Sequence, residues 1–303
     1  MDWKFERIAG PFDFAEGPVW MGDHLLFTDI PNSRIMKYDP SDRSCEEFRT
    51  GTNRANGLTL GRDGTLFACE GGASSFPGGE DSAAVQGRRI VIYKPGEDAI
   101  VLADEWEGKR LNSPNDIVED VQGRIWFTDP RYGDRADMEL DHESVYRLDP
   151  DGSGGFELVR VTFDTTRPNG LLVSADAKSL YVAQSDPGTD VCRELRRYPI
   201  NDDGSVGEYE ISHNFYPHRG IDGMRFDADG NIVASAGWTQ SGPGPMIYVL
   251  APNGRVLDTN PIEVNPTNCC FGDDDLQSLY VTTSDGSLFR AQTDRKGMPV
   301  GNA

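Results

Sequence analysis

The chain has 303 residues, 29 of them basic and 50 acidic, for a net charge of −21. That balance argues against a nucleic-acid partner, which needs clustered Lys and Arg to displace counterions. No apolar run is long enough for a helix to span a bilayer, so a membrane role is not expected either.

The chain opens with a strand-like segment, residues 4–8, that belongs to no repeat. Six similar units follow. The first begins at Glu16 in Glu-Gly-Pro-Val-Trp and continues with apolar segments at 24–28, 34–38 and 46–49. The second begins at Asn56 and continues at 65–69, 89–93 and 100–103; the third begins at Asn115 and continues at 124–128, 144–148 and 156–160. The fourth runs from Asn169 through 179–183 and 194–198, and the fifth from Asp222 through 231–235, 246–250 and 255–258. The sixth begins at Asn268, continues at 278–282 and 287–291, and has no fourth segment before the chain stops. Each opening reads as a small polar residue followed by a glycine-centred turn.

The openings are spaced by 40, 59, 54, 53 and 46 residues. A period near that of a propeller blade, with four short strands per period, predicts an all-β, six-bladed β-propeller. Its 34 glycines and 19 prolines suit the many turns this needs. Residues 4–8 have the character to supply the missing strand of the last blade, which would close the ring and protect two sheet edges. Because a propeller closes only as a whole, residues 1–303 are expected to form one domain.

Five cysteines without framework spacing, including the adjacent Cys269 and Cys270, fit small buried hydrophobes and a reducing cytoplasm. Residues 1–7 lack the apolar stretch of a signal peptide, and a periplasmic protein with its signal removed is the alternative. A monomer or weak homo-oligomer is expected.

In a propeller the innermost strand of each blade lines the central channel, and the starts of these strands share one mouth. Glu16, Asn56, Asn115, Asn169, Asp222 and Asn268 therefore converge, offering oxygens and no strong cationic partner. That set suits one divalent cation, above all Ca²⁺, which takes six to eight oxygen ligands. No His or Cys stands at these positions to favour a softer metal. The loops after the second strands of units two and three, residues 70–88 and 129–143, open on the same mouth. In the latter, Arg131, Tyr132 and Arg135 are candidates to meet a substrate's hydroxyls or carboxylate. His218, just before Asp222, is a further candidate at the mouth. No nucleophile elbow, zinc-protease motif, P-loop or dinucleotide fingerprint occurs. Residues 149–154 and 201–204 look like pieces of calcium loops but lack the later Glu, and are read as turns.

Glu16-Gly-Pro-Val-Trp, Ser113-Pro-Asn-Asp-Ile-Val, Gly123-Arg-Ile-Trp-Phe-Thr-Asp, Arg167-Pro-Asn-Gly-Leu and Gly220-Ile-Asp-Gly-Met resemble the gluconolactonase, senescence-marker-protein and luciferin-regenerating-enzyme family over essentially the whole chain. The resemblance implies a six-bladed propeller with a catalytic divalent ion held by Glu16, Asn169 and Asp222, and since relatives use Ca²⁺, Zn²⁺, Mn²⁺ or Mg²⁺ it leaves the last three as alternatives to Ca²⁺. Asn115 matches a channel Asn that is a metal ligand in the similar diisopropyl-fluorophosphatases and a substrate contact in mammalian members. In bacterial lactonases of this type the acid matching Asp116 also belongs to the site. Ser113 stands where mammalian members carry a sugar-binding Arg. The implied activity is metal-dependent opening of a small-molecule lactone, a sugar aldonolactone first. Asp222 or Asp116 would act as base or nucleophile. Phosphotriester or fluorophosphate hydrolysis at the same site is the rival chemistry, and a non-catalytic binding scaffold the rival class.

Overall fold

The computed structural model describes residues 2–72, 87–186 and 193–299. Among them there is no helix, and six four-stranded antiparallel sheets are arranged around one axis. The first strand, β1 (Glu6–Ala9), stands apart from the sheet that follows it. Blade one is β2 (Ala15–Trp20), β3 (Leu25–Asp29), β4 (Arg34–Asp39) and β5 (Ser44–Thr50). Blade two is β6 (Ala55–Leu60), β7 (Leu66–Glu70), β8 (Arg89–Tyr93) and β9 (Ile100–Ala103). A two-stranded hairpin that the repeat pattern did not reveal, β10 (Glu105–Trp106) with β11 (Lys109–Arg110), leads into the next blade.

Blade three is β12 (Ile117–Glu119), β13 (Ile125–Asp129), β14 (Ser144–Pro150) and β15 (Phe156–Arg160). Blade four is β16 (Pro168–Val173), β17 (Ser179–Gln184), β18 (Glu194–Pro199) and β19 (Glu210–Asn214). Blade five is β20 (Ile221–Phe226), β21 (Ile232–Trp238), β22 (Ser241–Leu250) and β23 (Val256–Pro261). Blade six is β24 (Pro266–Gly272), β25 (Ser278–Thr283) and β26 (Leu288–Gln292), completed on its outer edge by β1.

The inner strands β2, β6, β12, β16, β20 and β24 each contact the inner strand of the next blade, and β24 returns to β2. The core is correspondingly split into six apolar clusters, one per seam between blades. Leu26, Ile35, Leu58 and Val91 fill the seam between blades one and two, for example, and Trp20, Phe27, Cys270 and Tyr280 that between six and one. Because each second strand is buried on both faces, residues 25–29 and 125–129 read as nearly unbroken buried runs rather than as an alternating pattern. Cys69, Cys269 and Cys270 are buried free thiols, as expected for small apolar fillers.

Ring closure follows the expected pairing. Glu6 lies opposite Arg290 and Arg7 opposite Phe289. Trp3, just upstream, is buried against Val281, Phe289 and Ile262; its backbone N–H donates to Asn260 Oδ1 at 3.2 Å and its Nε1 to Asp294 Oδ1 at 2.8 Å. The chain beyond β26 adds a second clasp on the far face of the ring. Ala228 N–H donates to the Lys296 carbonyl at 2.7 Å, and Arg295 pairs at 2.9 Å with the buried Asp227. Met298 then lies over the far end of the channel beside Arg225 and Phe271.

Deleting residues 1–9 removes both β1 and the Trp3 anchor. It is expected to cost more than about 4 kcal/mol, the scale of a lost buried Trp alone, and to lower the melting temperature by about 10 °C. Melting of the truncated protein at the parent temperature would show that this strand does not close the ring.

Candidate functional site

Five of the six inner strands carry a β-bulge near their starts, and the candidate residues sit at it. Three residues of the inner strand span two of its neighbour between Glu16 and Val19, Ala55 and Leu58, Pro168 and Leu171, and Ile221 and Met224. In β24 the extra residue falls between Pro266 and Asn268. A bulge re-aims side chains, and here it turns Glu16, Asn56, Asn169 and Asp222 toward the axis.

The glycines after these residues, read from sequence as turn centres, are instead points where the next blade presses in. A Cβ on Gly17, whose φ is +53°, would lie 2.1 Å from the Asn56 carbonyl oxygen. One on Gly170 would lie 2.4 Å from that of Asp222. Gly57 lets its N–H reach the Asn115 carbonyl at 2.7 Å. In blade three the glycine position is taken by Asp116, so its carboxylate lies beneath the channel mouth and not in a wall. The carbonyl of Asn115 is tied to blade two, while its N–H is held by the Thr128 carbonyl at 2.9 Å. Upstream, the buried Asp129 accepts the N–H groups of Asn112 and Ser113 at 2.8 and 2.7 Å, which fixes the entry to this strand.

The result is a cavity of about 530 Å³ at one mouth of the channel. Its floor carries Glu16, Asn56, Asn115, Asn169 and Asp222, and Tyr132 and Ser185 stand at its side. Phe14, Ile30 and Trp238 supply apolar wall, and Trp238 is 41% exposed. Asn268, the sixth opening residue, is buried below, where its Nδ2 donates to Glu16 Oε2 at 3.0 Å.

Glu16, Asp186 and Asp222 line this cavity, and Asp116 is buried close enough for its charge to act on Glu16 and to feel that of Asp222. Burial, with the charges of Asp222 and Asp116 added, pushes Glu16 up to about 8. Burial also raises Asp222, against the pull of Arg219 and of the Asn169 carboxamide, and raises Asp116 against the pull of Arg225. Asp116 Oδ1 accepts the Ile117 N–H at 2.9 Å, and its buried Oδ2 has no hydrogen-bond partner among the described residues. Like charges this close and this dry are costly unless protonated or met by a cation.

The donor set therefore fits a hard divalent ion: carboxylate oxygens from Glu16 and Asp222, carboxamide oxygens from Asn169 and Asn115, no sulfur or imidazole, and a negative field that is only partly compensated. Among the described residues no three His, Cys, Asp or Glu side chains converge as a metal cluster, so the carboxamides are indispensable to any such site.

Arg219 corrects the expectation that the mouth offers no cationic partner. Its guanidinium pairs with Asp222 Oδ2 and reaches the carbonyls of Gly237 and Pro266 at 3.1 and 3.2 Å. Arg193 also lines the cavity, with Nη1 3.0 Å from the Pro217 carbonyl. The sequence signal for Arg219 was its place three residues before Asp222, where His218 drew the attention instead. His218 lies in the turn after β19, its N–H donating to the Phe215 carbonyl at 2.8 Å, and it does not line the cavity.

Arg131 is likewise not at the cavity. Its buried guanidinium reaches the Asn112 carbonyl at 2.7 Å and pairs with Asp137, which also binds Arg88. Arg135 is held by Glu143 at 3.0 Å. Of that loop only Tyr132 faces the site. Most of the other candidate loop, 70–88, lies outside the described residues. Trp238 was missed although it ends the second strand of its blade, the level from which both candidate loops spring.

The model of the SMP-30/gluconolactonase/LRE-like region matches residues 14–285. A gluconolactonase of Zymomonas mobilis is 33% identical over 310 residues, covering 92% of this chain and 78% of that one. The pentonolactonase of Haloferax volcanii is 28% identical, covering 90% of this chain and 82% of its own. Among solved structures, a gluconolactonase from Xanthomonas campestris superposes with a TM-score of 0.79 at 28% identity, covering 96% and 89% of the two chains.

Gly17→Ala, which places a methyl against backbone at positive φ, is expected to destabilise by about 3 kcal/mol. Gly64→Ala, at φ +84° with open space around it, serves as the control and is expected to cost about 1 kcal/mol. Equal losses in thermal or denaturant unfolding would show that backbone conformation, and not the approach of blade two, is what excludes a side chain at 17.

Proposed function

Since this chain belongs to the SMP-30/gluconolactonase/LRE-like family, we propose that it is a hydrolase that opens the ring of a sugar lactone at the channel mouth with the help of one divalent cation. The observation that carries the reading is the convergence of Glu16, Asn115, Asn169 and Asp222 on one cavity floor. The lactonases among its relatives support the substrate class. Glu16, Asn169 and Asp222 would hold the ion, Ca²⁺ first, with Asn115 as fourth ligand or substrate contact. When bound there, such an ion supplies Lewis acidity toward a carbonyl oxygen.

The chain's own groups do the rest. The lactone's carbonyl carbon must come within reach of a water at the cavity floor. Asp222, which faces the cavity, is placed to accept that water's proton while its oxygen adds to the carbonyl carbon. The ring C–O bond then breaks, and the proton held by the carboxyl group passes to the departing ring oxygen, giving the open hydroxy acid. Arg219, on the second oxygen of Asp222, keeps that carboxylate aimed. Asp116, buried and outside the cavity wall, acts on Glu16 through its charge. Trp238, Phe14 and Ile30 offer the CH face of a sugar ring an apolar surface.

Asp222→Asn is expected to lower turnover on an aldonolactone at least about a hundredfold, in the range of general-base loss. It should weaken cation binding less than Glu16→Ala or Asn169→Ala, which remove an oxygen outright. Acid release from a panel of aldonolactones, with a fluorophosphate arm, run on chelated protein and with each metal restored, tests the reading as a whole. Loss of turnover in Asp116→Asn with full activity in Asp222→Asn would assign the base to Asp116. Undiminished hydrolysis in both would place the activity elsewhere.

A further inference from the structure

The hydroxyl of Tyr132 touches two groups. Asn169 Nδ2 lies 2.9 Å away and the Arg167 carbonyl oxygen 3.4 Å away. A phenol has one proton and can both donate and accept, whereas a carbonyl can only accept. The proton is therefore committed to Arg167, and the hydroxyl oxygen accepts from the amide of Asn169. A carboxamide has two nearly isosteric ends, and only one can ligate a cation. With Nδ2 turned to Tyr132, Oδ1 is left for the channel.

The chain leading into Tyr132 is itself held in place. The neighbouring Arg131 has its N–H on Glu143 Oε1 at 2.6 Å, its guanidinium on the Asn112 carbonyl, and its carbonyl held by Arg135 at 3.0 Å. The buried Arg131 and Glu143 thus build a rigid base for a single hydroxyl.

We propose that Tyr132 is a positioning residue that fixes the carboxamide orientation of Asn169 and so presents its oxygen to the cation. The inference rests on the metal reading given above. It differs from a substrate contact in what it affects: cation affinity in the absence of substrate, through a partner behind the ligand. Such outer partners are typically worth about ten- to a hundredfold in metal affinity.

The test is calorimetric titration of Ca²⁺ and Mn²⁺ into substrate-free protein. Tyr132→Phe should weaken binding about tenfold or more, while KM for the lactone at saturating metal stays within about twofold. In an Asn169→Asp background, where either end of the side chain is oxygen, the same change should cost less than about twofold. Unchanged cation affinity with a raised KM would overturn the proposal in favour of a substrate contact. Equal weakening in both backgrounds would overturn it too, since the hydroxyl would then not be acting through amide orientation. If wild-type protein takes up no divalent cation, it is the metal reading itself that fails, and this result is distinct from either of the others.

Discussion

Crowding at the axis is the constraint on which the rest depends. Six inner strands must lie close enough for the carbonyl of one blade to occupy the space a Cβ would need on the blade before it. Glycine answers this at 17, 57 and 170, at 223 it makes room for the side chain of Asn268, and the bulge in each of these strands lets the preceding side chain swing to the centre. Packing of the ring and presentation of the polar set are thus one geometric event. A larger residue at the glycine would not only strain the seam; it would move the oxygen-bearing side chain beside it.

The same crowding creates the electrostatics. Glu16, Asp116 and Asp222 are buried together because the fold leaves them nowhere else to point, and burial is the first cause of every upward shift among them. Arg219 and Arg225 offset part of the charge from opposite ends of blade five's inner strand, one at the open mouth and one deep in the channel. A protein with a net charge of −21 gains nothing in stability from burying three of its acids together. Together they make a site suited to positive charge.

Much of this was legible in the sequence, because periodicity survives translation into structure unusually well in a radial fold. The common phase of Glu16, Asn56, Asn115, Asn169, Asp222 and Asn268 located the mouth of the channel, and the unpaired segment at residues 4–8 located the closure. What could not be read was contact between residues at no fixed spacing. Arg131 and Tyr132 are adjacent and both carry hydrogen-bonding tips, yet one is locked into the loop's own interior and the other reaches Asn169. Nothing in their neighbourhood distinguishes them until Asp137 and Glu143 are seen to claim the guanidinium groups. The role of the glycines was misread for a related reason: a turn is a local property, whereas the approach of Asn56 to Gly17 belongs to two blades at once.

The pairing of Glu6 with Arg290 has a consequence for how the molecule comes into being. Almost the entire polypeptide separates these partners, so the pairing that completes the ring is, with the Trp3–Asp294 contact beside it, among those of greatest sequence separation, and its loop-closure entropy is met late. During synthesis β1 is made before every other strand of the ring and has no partner until the final blade has been made. Until then the outer edge of β26 and the faces of blades one and six that will meet at Trp20 and Tyr280 stay uncovered. The stretch of chain that makes the finished protein compact is therefore the one that leaves its precursor longest open to misassociation.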